Sequence, residues 1–317
     1  MGTLAVACAT AGPLVAQQPA EVRGTVRRPA APAAAPVGGV RVVLHRVGLA
    51  TQGPIDTVAT DATGRFRFRF RADPTSNYLV SARHAGIEYF SAPLATARTR
   101  PDTAIELVVY DTSAAAPVVT RSRTMVVGAP DAAGSRTVID WFVIENAGTQ
   151  TRVGRDSSAA TWSARLPAGI RGAEVGDARL SQISADAVTF RDDSALVGAP
   201  ISPGQKELLI QYEVAKDLRR LELPLGLVDS VDLFIEEAGL SPDPAAWQVR
   251  DSQMFEGRPF RRFQRRGAEA VLTLQFPRTA LPAAVLPVLV SVVGLGLFGG
   301  AWLLMRRRGL AGPGRPS

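Results

Sequence analysis

Apolar and polar residues alternate strictly over residues 65–71, RFRFRFR, the cleanest pattern in the chain. Successive side chains of an extended strand point to opposite faces. Phe66, Phe68 and Phe70 therefore share one face, and Arg65, Arg67, Arg69 and Arg71 the other. Such a strand buries its phenylalanines and solvates its arginines. Further strand-like runs lie around it, at 21–26, 39–47, 56–60, 77–83, 86–90 and 103–110. The sequence Asp61-Ala62-Thr63-Gly64 supplies a turn just before the arginine strand. About seven strands with turn signals between them predict an antiparallel sandwich over residues 17–110.

A break of small residues, 113–117, precedes a second strand-like region over 118–278. Its predicted strands are 124–127, 137–145, 160–166, 187–191, 207–214, 219–223, 231–235 and 268–276. Turns fall at Asn146-Ala147-Gly148, Pro167-Ala168-Gly169 and Pro203-Gly204. Trp141 and Phe142 sit mid-strand in an apolar run. This region reads as a second sandwich, of Ig-like type.

The pattern changes at Leu281. Residues 281–305 carry no charge and show no polar face. As a helix this run reaches roughly 37 Å, beyond the ~30 Å hydrocarbon core of a bilayer. Arg306, Arg307 and Arg308 follow at once. The expected class is all-β: two antiparallel β-sandwich domains followed by one C-terminal transmembrane helix. Arginine-rich flanks stay cytoplasmic. This places 306–317 inside as a short tail and 17–280 outside, in the periplasm. Gly296 and Gly300 stand four apart in the span, a spacing that lets two membrane helices approach closely. Residues 1–16, small and apolar, resemble the latter part of a secretory signal cleaved after Ala16. An uncleaved or mis-started segment is the first alternative, and acylation of Cys8 the second.

Composition narrows the chemistry. The chain has 317 residues, 46% of them hydrophobic, so packed cores are expected. Net charge is +7, and Lys206 and Lys216 are the only lysines. The arginines are spread over many strands, not gathered in one basic stripe, so no nucleic-acid partner is expected. The only cysteine is Cys8, which excludes an intrachain disulfide. His45 and His84 are the only histidines. They leave little for a zinc site or a Ser-His-Asp arrangement, and no cofactor is expected.

Four motifs in the first region carry a resemblance. They are V-x-G-T-V at 22–26, G-V-R-V-V-L at 39–44, T-D-x-x-G-x-F-x-F at 60–68 and Y-x-V-x-A-x-x-x-G-x-x-Y at 78–89. Together they resemble a carboxypeptidase regulatory-like domain over residues 20–110, about a third of the chain. The resemblance implies a small transthyretin-like sandwich acting as an accessory binding or spacer module. It carries over no active-site residue, and no H-x-x-E or H-E-x-x-H motif accompanies it.

Several constellations are candidates for function. His45 or His84 could pair with Asp61 or Glu88 as a base or ligand, although lone histidines on strand faces are more often solvated. Asp229, Asp232, Glu236 and Glu237 form an acidic run without the glycine-bearing loop of a calcium site. Trp141, Trp162 and Trp247 could form a sugar platform, with Trp247 the one expected at the surface. The stretch 254–266, MFEGRPFRRFQRR, mixes Arg258, Arg261, Arg262, Arg265 and Arg266 with Phe260 and Phe263 close to the span. It is the candidate for contact with anionic headgroups or a partner; the competing reading packs its phenylalanines inward. The sequence therefore reads as an exported, membrane-anchored, non-enzymatic protein with a binding or structural role in the cell envelope. Its expected partners are the bilayer and another envelope protein. A carbohydrate-binding module and an accessory subunit or remnant of an envelope hydrolase are the alternatives.

Overall fold

The computed structural model describes residues 18–30, 33–48, 51–94, 105–255, 257–267 and 271–276. The segments 1–16, 281–305 and 306–317, and with them Gly296 and Gly300, lie outside the described residues. Among those described, no helix is long and apolar enough to cross a membrane. The described residues are all-β, built from several sheets, with a single 3₁₀ turn among them at Ala185–Ala187. Its chain divides into two units, at Thr112/Ser113.

The first unit contains β1 (Gln18–Arg28), β2 (Ala35–Pro36), β3 (Arg41–Val47), β4 (Gln52–Ala59), β5 (Arg65–Ala72), β6 (Asn77–His84), β7 (Ile87–Phe90) and β8 (Ile105–Val108). β1 pairs antiparallel with β5, setting Val22 against Phe68 and Arg23 against Arg67. β8 runs parallel to β1. Gly24 and Thr25 pair with both strands, so β8 lies on the opposite edge of β1 from β5. The second sheet has the order β4-β3-β6-β7 and is antiparallel throughout. Both sheets contribute to one core, which includes Val22, Phe66, Phe68, Leu44, Tyr78 and Val80.

The turn before β5 explains why the alternation starts at Arg65. Asp61 Oδ1 accepts from the Thr63 and Arg65 main-chain N–H groups and from the Thr63 hydroxyl. Gly64 follows at φ +74, where a Cβ would come within 2.6 Å of the Val26 carbonyl oxygen. That conformation and that space both call for glycine.

The second unit follows β9 (Thr112–Ser113) at the junction. It holds β10 (Val118–Val127), β11 (Arg136–Asn146), β12 (Thr151–Arg152), β13 (Trp162–Arg165), β14 (Ile170–Val175), β15 (Val188–Arg191) and β16 (Ser194–Val197). β17 (Gly204–Val214), β18 (Arg220–Pro224), β19 (Val228–Ile235), β20 (Gln248–Phe255), β21 (Arg258–Arg266) and β22 (Val271–Gln275) complete it. Seven strands form one sheet, β14-β17-β11-β10-β19-β21-β20. Two small sheets, β13-β16-β15 and β18-β22, complete the main core with it.

Two expectations need correction. The sheets are not wholly antiparallel, because β10 runs parallel to β19 as β1 does to β8. Besides the two-residue strands β2, β9 and β12, four strands, β14, β16, β20 and β21, were not legible as alternating runs. In β21 the reason is its burial. Phe260 and Phe263 are three residues apart and so point to opposite faces of the sheet. Phe263 enters the main core, and Phe260 joins a smaller cluster with Val126, Ile139, Leu209, Phe234 and Phe255. A strand buried on both faces has no period of two to detect.

Candidate functional site

The arginine–phenylalanine stretch is built into the second unit. Phe260 and Phe263 are 1% and 6% exposed, so neither ring is presented to a bilayer. β21 lies between β19 and β20, and its arginines meet the acids of the neighbouring strand. Arg258 pairs with Glu236 at 3.0 Å, and Arg262 with Asp232 at 2.7 Å. Arg261 donates to the Glu237 and Leu240 carbonyls. Arg265 and Arg266 stand opposite Val231 and Ser230, with only Arg266 fully exposed. Asp229 and Glu237, the other acids of that run, pair with Arg121 at 2.8 Å and Arg136 at 2.9 Å. The basic stretch and the acidic run, separate features in the sequence, meet in two ion pairs, and the remaining two acids are taken by Arg121 and Arg136 from other strands.

The tryptophans are likewise interior. Trp141, Trp162 and Trp247 are 8%, 7% and 5% exposed, so the expectation that Trp247 lies at the surface is corrected. None of the three can stack on a sugar ring from outside. Burial raises the Glu207 carboxyl on β17, and the Trp141 indole pulls it the other way.

The histidines sit in the first unit with different partners from those expected. His45 Nε2 lies 2.8 Å from Ser81 Oγ, whose hydroxyl donates to Glu88. Here the fully buried serine stands between the histidine and the acid, whereas nucleophile activation needs the histidine in the middle. His84 Nε2 lies 2.8 Å from Asp111 Oδ1, and Arg28 pairs with the same carboxylate at 3.2 Å. His84 and then Arg28 hold Asp111 below its usual range.

The outer face of β1 and β5 is a built surface open to solvent. The alternation that buries Phe66 and Phe68 turns Arg65, Arg67, Arg69 and Arg71 outward, all exposed. Arg23 and Arg27 on β1 share that face. Glu21, half-buried at its centre, accepts from Arg23, Arg67 and Arg69. Arg67 foremost, with Arg23 and Arg69, pulls the Glu21 carboxyl down to about 2. Glu106 on β8 lies 3.8 Å from Arg27. Asp61 lies near Arg65, and its carboxyl is lowered chiefly by the Thr63 hydroxyl. Beside this face runs an open groove of about 860 Å³, lined by Arg23, Thr25, Arg65, Arg67, Ile105 and Glu106 among others. The alternation placed these arginines on a solvated face, but Glu21 as their hub was missed. Its signal was present in the short spacing of Glu21 and Arg23 on a strand that pairs with the arginine run.

No known protein family matches the chain, and no curated protein does. Among solved structures, an M1 zinc metallopeptidase from Deinococcus radiodurans aligns with TM-score 0.29 and 9% identity, over 50% of this chain and 42% of that one. The major pilin subunit of Bacillus cereus aligns with TM-score 0.20 and 11% identity, over 82% and 86%. Both likenesses are too distant to carry an argument about fold or role. The class that the coordinates define is an all-β protein of two sandwich-like units.

Proposed function

We propose that this protein is exported, anchored in the cytoplasmic membrane by residues 281–305, and serves a binding or structural role in the cell envelope. In this reading the first unit is a transthyretin-like module of carboxypeptidase regulatory-like type, and the second an Ig-like sandwich. The anchor rests on the uncharged run and on Arg306–Arg308 behind it. The observation that carries the binding role is the arginine face of β1 and β5. Five exposed arginines and the half-buried Arg27 stand there, and the core uses only the apolar side of those strands.

Protease added to spheroplasts tests the topology. Degradation of both units, leaving a small membrane-bound fragment, is the expected result. Protection of the units would overturn the orientation.

A further inference from the structure

We propose that the outer face of β1 and β5 is a docking surface for a linear carboxylated polymer, an acidic glycan. The proposal deepens the reading above, because it names the chemistry an envelope-facing binding module would meet. Alternate residues of a strand lie roughly 7 Å apart, so Arg65, Arg67, Arg69 and Arg71 form a straight row on the order of 20 Å long. Arg23 stands opposite Arg67 in register, which widens the row into a track two strands across. Six arginines face two glutamates on these strands, so the face holds a net positive field. Among the described residues, Arg65 and Arg71 have no carboxylate within 4 Å.

Glu21 shows what the track accepts. Its one carboxylate takes hydrogen bonds from three guanidinium groups, each on a side chain that remains 42–69% exposed. A planar guanidinium fork matches a carboxylate with two parallel N–H donors. A polymer bearing carboxylates at regular intervals could repeat that contact along the row. The same residues do not suit a bilayer or a nucleic acid. The outward positions of these strands are Pro19, Glu21, Arg23, Thr25 and Arg27 on β1 and the four arginines on β5. They offer no large apolar wedge for the headgroup region and no aromatic ring on which a base could stack.

The test uses the full chain purified in non-ionic detergent and polygalacturonate as the probe, with dextran as the neutral control. Binding to polygalacturonate but not dextran is expected, weakening steeply as salt rises. Arg65→Gln/Arg71→Gln removes the two guanidiniums that have no described carboxylate within 4 Å, and should lower affinity about tenfold or more. Glu21→Gln withdraws the resident competitor and should raise affinity. Far-UV circular dichroism confirms that each variant is folded.

Three results would each overturn the proposal. One is the absence of polygalacturonate binding at low salt. Another is binding unchanged by Arg65→Gln/Arg71→Gln or weakened by Glu21→Gln in folded protein. The third is tighter binding, through the same arginines, to phosphatidylglycerol vesicles or to a single-stranded oligonucleotide. Because the assay uses purified protein, its failure is separate from failure of the topology test, which reports only on which side of the membrane the units lie.

Discussion

The core of the second unit contains an ion pair whose removal has a predictable and asymmetric cost. Arg123 on β10 and Asp140 on β11 are 1% and 0% exposed. Arg123 Nε donates to Asp140 Oδ1 at 2.8 Å, and a second guanidinium N–H donates to Oδ2 at 2.5 Å. The guanidinium also reaches the Arg165 carbonyl at 3.2 Å and stacks 4.7 Å over the Phe142 ring. Burial opposes its charge, but Asp140 outweighs that and holds Arg123 above its ordinary value. Asp140→Leu would leave a buried cation with only neutral acceptors, a change that costs about 3–5 kcal/mol. With an m-value of about 2 kcal/mol per molar urea, the midpoint should fall by roughly 2 M. The double variant Arg123→Met/Asp140→Leu removes both charges and should restore most of that loss.

The reverse single change should behave differently with pH. In Arg123→Met the buried Asp140 loses its cationic partner, and a proton can cancel its charge, so this variant should regain stability in acid. Arg123 in Asp140→Leu cannot neutralise itself, and its loss should be flat over the same range. Tryptophan fluorescence reports on the second unit, because the first unit has no tryptophan and three of the chain's four, Trp141, Trp162 and Trp247, are buried there; the fourth, Trp302, lies outside the described residues. Trp162 reports from close by, its ring 5.1 Å from that of Phe142. A loss under ~1 kcal/mol for Asp140→Leu, or a double variant no better than the single, would refute the view that an unpaired buried charge sets the cost.

Further predictions concern the first unit. Phe68 is 1% exposed in the core, so Phe68→Ala should cost about 3–5 kcal/mol. Arg67→Ala, on the solvated face of the same strand, should leave thermal melting nearly unchanged; equal effects would mean the facing is wrong. Glu21 has its carboxyl lowered from 4.5 to about 2, so its stabilising contribution is complete above pH 4.5 and is lost as pH falls toward 2. Melting curves across that range should therefore converge between wild type and Glu21→Gln at the acid end.

The strands around β5 were legible because one face of each meets a core and the other meets water, and that difference writes a period of two into the sequence. The same period placed Phe66 and Phe68 inside and four arginines outside. The turn at Asp61 and Gly64 was legible too, since a side-chain carboxylate and a positive φ restrict which residues can stand there. Alternation states only which face a residue shares with its neighbours; it does not say whether a second layer covers that face. Arg123 and Asp140 both lie on strands that sequence analysis found in part or in full, yet only the packing of the small sheets over the large one decides that they are buried together. β21 was hidden for the same reason, because cover on both faces erased its period. The pairing of charges also belongs to the tertiary structure: Arg136 and Glu237 are 101 residues apart, and only the strand order of the seven-stranded sheet brings them into contact.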